Sequence, residues 1–199
     1  MHPRISKKIF IYLFIFTILV TITNRKLPFD FYKIKEFEII SSHDLDIKRI
    51  NKDLRNLINK SIFLFDEKGI SKIIYSNRAV EEFEILKVYP SKLIIKIKKT
   101  EFLAITKQKG LDYLVGTNGN LIENEDFNYD LPYIFGNINT KNFLSFKKMI
   151  DNSNFDYSEI ESILYFNSNR WDITNKKGLV LKLPNKLTVK KLDLIYEII

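Results

Sequence analysis

A chain of 199 residues with a formal net charge of +8 has room for one ordinary domain or two small ones, which excludes a large multidomain enzyme. Hydrophobic residues make up 45% and aromatics 14%, with six glycines and five prolines, so there is apolar material for a packed core and none of the bias of a disordered chain. The sequence has no cysteine and two histidines, which excludes disulfide scaffolds, thiol catalysis and cysteine-ligated zinc and leaves little for histidine chemistry; no cofactor and no metal site are expected. The basic charge is compatible with nucleic acid or an anionic membrane. Lysine outnumbers arginine by about four to one among many Ile and Asn, however, as codon drift in an A/T-rich genome produces, with charge serving solubility.

The first element is an apolar run from Ile9 to Ile22, IFIYLFIFTILVTI, behind a short tail (residues 1–8) holding Arg4, Lys7 and Lys8 and ahead of Asn24, Arg25 and Lys26. As a helix the run measures about 21 Å, short of the roughly 30 Å hydrocarbon core, and length alone favours a signal-peptide core. Two features favour an uncleaved anchor over residues 9–24. The flanking Lys7, Lys8, Arg25 and Lys26 can snorkel to extend the span, and the residues from Thr21 to Lys26 lack the small-residue pattern that signal peptidase requires. Ile9, Phe10, Ile11, Leu13, Phe14, Ile15, Phe16, Ile18, Leu19, Val20 and Ile22 are the expected membrane-facing residues. A long C-terminal body translocates largely regardless of charge, so the expected topology is single-pass with the body outside the cytoplasm.

Behind a joint at Leu27-Pro28-Phe29-Asp30, a strand is predicted from Lys35 to Ile40. Ile47, Ile50, Leu54 and Leu57 then recur on one helical face with Asp46 placed to cap the first turn, and a shorter helix begins at Asp66 with Ile70, Ile73 and Ile74 on its apolar side. Val80 to Val88, the turn Tyr89 to Lys92, and Leu93 to Lys99 read as two strands, the second alternating Leu93, Ile95 and Ile97 against Lys96 and Lys98. The order β-α-α-β-β over residues 35–101 is a small α+β layer. Residues 102–199 read as β-rich: strands at Leu103–Thr106, Tyr113–Gly116, Ile163–Phe166, Arg170–Thr174 and Leu179–Leu183, a helix near Lys141–Ile150, and a turn at Asn175 to Gly178. The tail from Val189 fits a helix through Val189, Leu192 and Ile195 and a strand through Leu192, Leu194, Tyr196 and Ile198.

No catalytic constellation of useful specificity is present. His43 beside Asp44 has no nucleophile motif to serve, and the glycines at 110, 116 and 119 lack phosphate-loop spacing. The pairs Glu36/Glu38, Glu82/Glu84 and Glu123/Glu125 fit solvated faces better than a shared cation. Lys87, Lys92, Lys96, Lys98 and Lys99 form a basic face without the interleaved aromatics of a nucleic-acid surface, so no nucleic acid is expected as partner. Trp171, the only tryptophan, reads as a core aromatic.

The anchor, the β-α-α-β-β order and the run Val80-Glu81-Glu82-Phe83-Glu84-Ile85-Leu86-Lys87-Val88-Tyr89-Pro90-Ser91-Lys92-Leu93-Ile94-Ile95-Lys96-Ile97 together resemble the bacterial cell-division family FtsQ/DivIB. The resemblance continues through Ala104, Tyr113-Leu114-Val115 before Gly119, Leu131-Pro132 with Gly136, and Arg170-Trp171-Asp172 leading to Gly178 and Leu181. Ser41, Lys99 and Phe102 depart from the family pattern in turns, and Ile199 stands about where the family continues into a further pair of strands.

The resemblance implies a POTRA-like domain followed by a mostly β domain, in a type II inner-membrane protein whose periplasmic body is a non-enzymatic divisome scaffold. It implies partners of the FtsB and FtsL type and other divisome components at the septum, reached by strand addition. On this basis Arg170 is expected to pair with a partner carboxylate, and Gly178, Leu179, Val180, Leu181, Lys182 and Leu183 to offer an edge for a partner strand. An anchored enzyme acting on cell-wall glycan, which needs two converging carboxylates, and a POTRA-bearing secretion or assembly factor remain open alternatives.

Overall fold

The computed structural model describes residues 7–24, 32–42, 45–124 and 129–198. The apolar run forms α1 (Lys7–Asn24), 18 residues and about 27 Å long. Its apolar side chains are exposed all round from Ile9 to Val20, and the Thr17 hydroxyl is folded back to donate to the Phe14 carbonyl at 2.8 Å. Ile22 is helical, but its side chain lies outside the described set. The helix covers the expected span 9–24 and begins two residues earlier, at Lys7. Among the described residues no helix is long and apolar enough to cross a membrane.

The first folded unit is a three-stranded sheet in the order β1-β3-β2, made of β1 (Glu36–Ser41), β2 (Val80–Val88) and β3 (Lys92–Lys99). β1 runs parallel to β3, so the chain must cross over between β1 and β2. It does so through α2 (Lys48–Leu54), extended by a 3₁₀ turn at Arg55–Leu57, and α3 (Glu67–Tyr75). The predicted periodicity is what packs: Ile50, Leu54, Leu57, Ile70 and Ile74 are buried against Leu93, Ile95 and Ile97 of the central strand. Asp46 accepts from the Lys48 N–H at 3.0 Å at the entry of α2.

The second unit is a seven-stranded sheet in the order β10-β9-β8-β7-β4-β5-β6. β4 (Phe102–Gln108), β5 (Leu111–Gly116) and β6 (Leu121–Glu123) form an antiparallel meander, as do β8 (Ile160–Tyr165), β9 (Trp171–Asn175) and β10 (Val180–Lys182). The short β7 (Tyr133–Phe135) joins the two halves through parallel pairing on both sides. The crossover from β7 to β8 is α4 (Thr140–Asp151), which buries Phe143, Phe146 and Ile150 on the sheet, and its N-terminus is capped by Asn139 through the Lys141 N–H. The ambiguous tail is a helix, α5 (Val189–Ile198), packed against α4 with Leu192 buried. Apart from α4 and α5 and a 3₁₀ turn at Tyr157–Glu159 this unit is built of strands, in keeping with the mostly β expectation. Trp171 is 6% exposed, stacked on Phe146 (4.5 Å, 13°) and against Tyr165 (4.4 Å), as a core aromatic should be.

The units meet at the end of the first sheet where β3 leaves and β2 begins. Thr117 donates to the Glu81 carboxylate at 2.8 Å, and its N–H to the Glu101 carbonyl at 2.9 Å. The Asn118 amide donates to the Arg78 and Val80 carbonyls, and the Asn120 amide also to Arg78. Two asparagines in the β5–β6 turn thus bind backbone carbonyls at and just before the start of β2.

Candidate functional site

The described residues contain no group of three His, Cys, Asp or Glu able to hold a metal. His43, Asp44 and Glu125 lie outside the described residues. Two of the acidic pairs, Glu36/Glu38 and Glu82/Glu84, and the basic stripe explain each other. On the outer face of the first sheet, register puts Glu36 opposite Lys92, Glu82 opposite Lys98 and Glu84 opposite Lys96. Lys92 Nζ lies 3.0 Å from Glu38 and 3.4 Å from Glu36, Lys98 lies 3.0 Å from Glu82, and Lys96 lies 3.9 Å from Glu84. Hydrogen bonds to Glu38 and then Glu36 hold the Lys92 ammonium above its ordinary pKa, and the bond to Glu82 does the same for Lys98. Lys87 pairs with Glu67 at 3.4 Å and Lys99 sits 5.0 Å from the Phe102 ring. This is a cross-strand ladder of paired opposite charges.

The edge strand of the larger sheet is a different kind of surface. Among the described residues β10 is terminal in the sheet order, with β9 its one strand neighbour. The turn that delivers it is set by Asn175, whose side-chain oxygen accepts from the Lys177 and Leu179 N–H groups (3.1 and 2.8 Å), and by Gly178 at φ +83°, where a side chain would be strained. Asn175 N–H then donates to the Leu179 carbonyl, and Leu183 N–H to the Trp171 carbonyl. With Leu181 opposite Ile173, antiparallel alternation turns the backbone groups of Leu179, Leu181 and Leu183 toward β9. The same alternation turns those of Val180 and Lys182 outward. Of the six residues from Gly178 to Leu183, these two carry the outward donors and acceptors. Val180 and Lys182 also have exposed side chains, Leu181 packs on the core and Leu183 is buried.

Beside this edge lies a groove of about 670 Å³ between the sheet and α5, lined by Leu179, Leu181, Ile173, Phe155 and Tyr196 with Asp156, Glu159 and Lys177 among its polar groups. Phe155 and Tyr196 meet edge to face at 5.4 Å. The Asp156 carboxylate accepts from the Ser158 hydroxyl and N–H (2.7 and 2.8 Å), bonds that hold its pKa below the usual range. No sequence motif marks this groove, because its outer wall exists only once the tail from Val189 is helical.

Arg170 is not a bare guanidinium. It makes a two-pronged contact with Asp172, Nε to Oδ1 at 3.1 Å and Nη2 to Oδ2 at 3.3 Å, and covers the Phe166 ring at 4.2 Å. The Asp172 side chain is 8% exposed and that of Arg170 36%, so the arginine lids a nearly buried carboxylate while part of its fork still faces solvent.

Residues 32–99 match the family model "POTRA domain, FtsQ-type" and residues 104–199 the model "Cell division protein FtsQ/DivIB, C-terminal". Over 123 residues the chain is 31% identical to the cell division protein DivIB of Clostridium botulinum (strain Loch Maree / Type A3). It is 29% identical to the DivIB of the Hall strain of the same species. Each match takes in 61% of this chain and 46% of the relative, so it spans about half the length of these curated proteins. The solved extracytoplasmic domain of DivIB from Geobacillus stearothermophilus overlaps 47% of this chain and 86% of that one, at 13% identity and a TM-score of 0.36.

Proposed function

The chain belongs to the FtsQ/DivIB family of cell-division proteins, and we propose that it acts as a non-enzymatic scaffold that recruits and links division proteins at the septum. The observation that carries this reading is the succession of two FtsQ-type modules along one chain, the sheet of the second having β10 as an edge strand. The partners are of the FtsB and FtsL type, and a partner strand adds to β10 through the outward backbone groups of Val180 and Lys182. Arg170 contributes the exposed part of its fork to a partner carboxylate. The helix α1, its apolar span flanked by the charges of Lys7 and Lys8, anchors the protein in the inner membrane as a single-pass type II chain, with residues 1–8 cytoplasmic and the modules at 35–101 and 102–199 in the periplasm. The ring of exposed apolar side chains on α1 supports this, since a helix apolar on all sides requires an apolar surrounding.

Depletion in the source bacterium followed by microscopy tests the role: filaments with unresolved septa are expected, and normal division would refute it. Hydrogen exchange on the full chain with an FtsB-type peptide tests the docking edge. Protection is expected at the Val180 and Lys182 amides, while the Leu183 amide, already bonded to Trp171, stays unchanged. Protection confined to the first sheet would move the docking site there.

A further inference from the structure

The two ends of the first sheet are chemically unlike. At one end Ser41, Lys99 and Val80 lead to the second unit. At the opposite end, beyond Glu36, Val88 and Lys92, three separate segments converge. Ile62 N–H donates to the Tyr32 carbonyl and Lys35 N–H to the Ser91 carbonyl, which ties the incoming chain to both the 58–65 loop and the β2–β3 turn. On these segments Tyr32, Phe63 and Tyr89 touch in series, Tyr32 tilted against Phe63 and Phe63 stacked on Tyr89 with ring centroids 5.3 and 5.4 Å apart, all three exposed, and Leu64 beside them is 87% exposed. Lys33, Lys35 and Lys60 lie on the same segments. This aromatic end is also the end nearest α1 in the chain: the seven residues between Asn24 and Tyr32 reach about 28 Å even when fully extended.

We propose that this end of the POTRA-type unit rests on the lipid surface, with Phe63, Leu64 and Tyr89 at headgroup depth and the lysines beside anionic headgroups. The inference rests on the reading of α1 as a membrane anchor. Aromatic rings with a polar edge partition to the membrane–water interface, lysines add attraction to an anionic leaflet, and a short tether holds the patch at high local concentration over it. A soluble peptide partner would have to reach the same rings inside the gap that the tether leaves. The consequence is a fixed posture: the first sheet stands with its aromatic end down and delivers the second unit away from the bilayer.

The absence of cysteine makes the test direct. The full chain carrying Ile15→Cys, Leu64→Cys or Gln108→Cys is spin-labelled and reconstituted in phosphatidylcholine vesicles with about one-third phosphatidylglycerol. Collisional accessibility to oxygen and to a water-soluble nickel chelate, present on both sides, is then compared. Leu64 is so exposed that its replacement removes no core contact. The oxygen-to-nickel ratio at Leu64 is expected severalfold above that at Gln108, on the far end of β4, and below that at Ile15. A lipid-like Ile15 with a Leu64 label as wet as Gln108 overturns the proposal and leaves the anchor standing. A Leu64 label shielded from both probes means that protein covers the patch, and also overturns it. A wet Ile15 removes the anchor and the proposal together.

Discussion

Replacing Trp171 with alanine empties the centre of the second core. The indole is 6% exposed and lies between Phe146 and Tyr165, one ring from α4 and one from β8, so it joins helix to sheet. Truncating a buried large aromatic costs about 3–5 kcal/mol, and the loss of two ring contacts places this site at the upper end, about 4–5 kcal/mol. A unit of this size is stable by about 5–15 kcal/mol, so the variant sits near its folding threshold. Urea unfolding of the detergent-solubilised chain, followed by far-ultraviolet circular dichroism because the only tryptophan is gone, should show the transition of this unit moved down by about 2 M for a slope near 2 kcal/mol/M. Trp171→Phe should recover much of the shift. A displacement below about 0.5 M with an unchanged slope would refute the placement of this ring as the link between α4 and the sheet.

Arg170→Ala should cost about 1–3 kcal/mol, because it strands the nearly buried Asp172 carboxylate; adding Asp172→Asn should restore part of the loss, and strict additivity in the double variant would contradict the pairing. Gly136→Ala should destabilise by roughly 2 kcal/mol or more in the same assay, since a Cβ at φ +103° would lie 2.2 Å from the Tyr165 carbonyl oxygen and force β7 from β8; near-wild-type stability would contradict that close approach. Burial pushes the Tyr157 phenol well above its ordinary pKa, and the Asp151 charge adds to this, while the hydroxyl donates to the Leu103 carbonyl at 2.7 Å. A folded-state pKa raised above the unfolded value near 10 means stability that is whole below that value and lost as pH rises beyond it. Tyr157→Phe should therefore lose about 1 kcal/mol at neutral pH and show a shallower alkaline decline in a pH series of unfolding midpoints.

Much of the first unit was legible because its signals are local. Alternation along Leu93, Ile95 and Ile97 and the helical spacing of Ile50, Leu54 and Leu57 need no partner to be read, and each became core. What escaped depended on register between distant segments. β6 spans only Leu121–Glu123 and exists by pairing with β5. The tail from Val189 was undecidable by pattern, and Leu192 settles it by burial in a core drawn from the whole second unit, Ala104 to Leu183. The Glu–Lys ladder was visible as two charge patterns and became one only when β1 and β2 took their places on either side of β3. At the candidate edge, strand position was foreseen, but which amides face outward required the β9–β10 register. The Arg170–Asp172 contact was within reach of the sequence, since residues two apart in extended chain share a face, and a nearly buried acid needs a partner such as the arginine beside it.

The junction between the units has a mechanical side. Thr100 and Glu101 carry the covalent chain from β3 to β4, and the turn from Thr117 to Asn120 returns to grip Arg78, Val80 and Glu81. A body tethered at one point swivels about three axes, whereas one held at two points keeps a single hinge line through both. Torque about the other axes is then resisted by the Asn118 and Asn120 amides, and a load applied to the first sheet enters the second at the β5–β6 turn as well as along the backbone. Because β5 stands beside β4 in an unbroken run of paired strands that ends at β10, such a load arrives at the outermost strand without crossing a flexible linker.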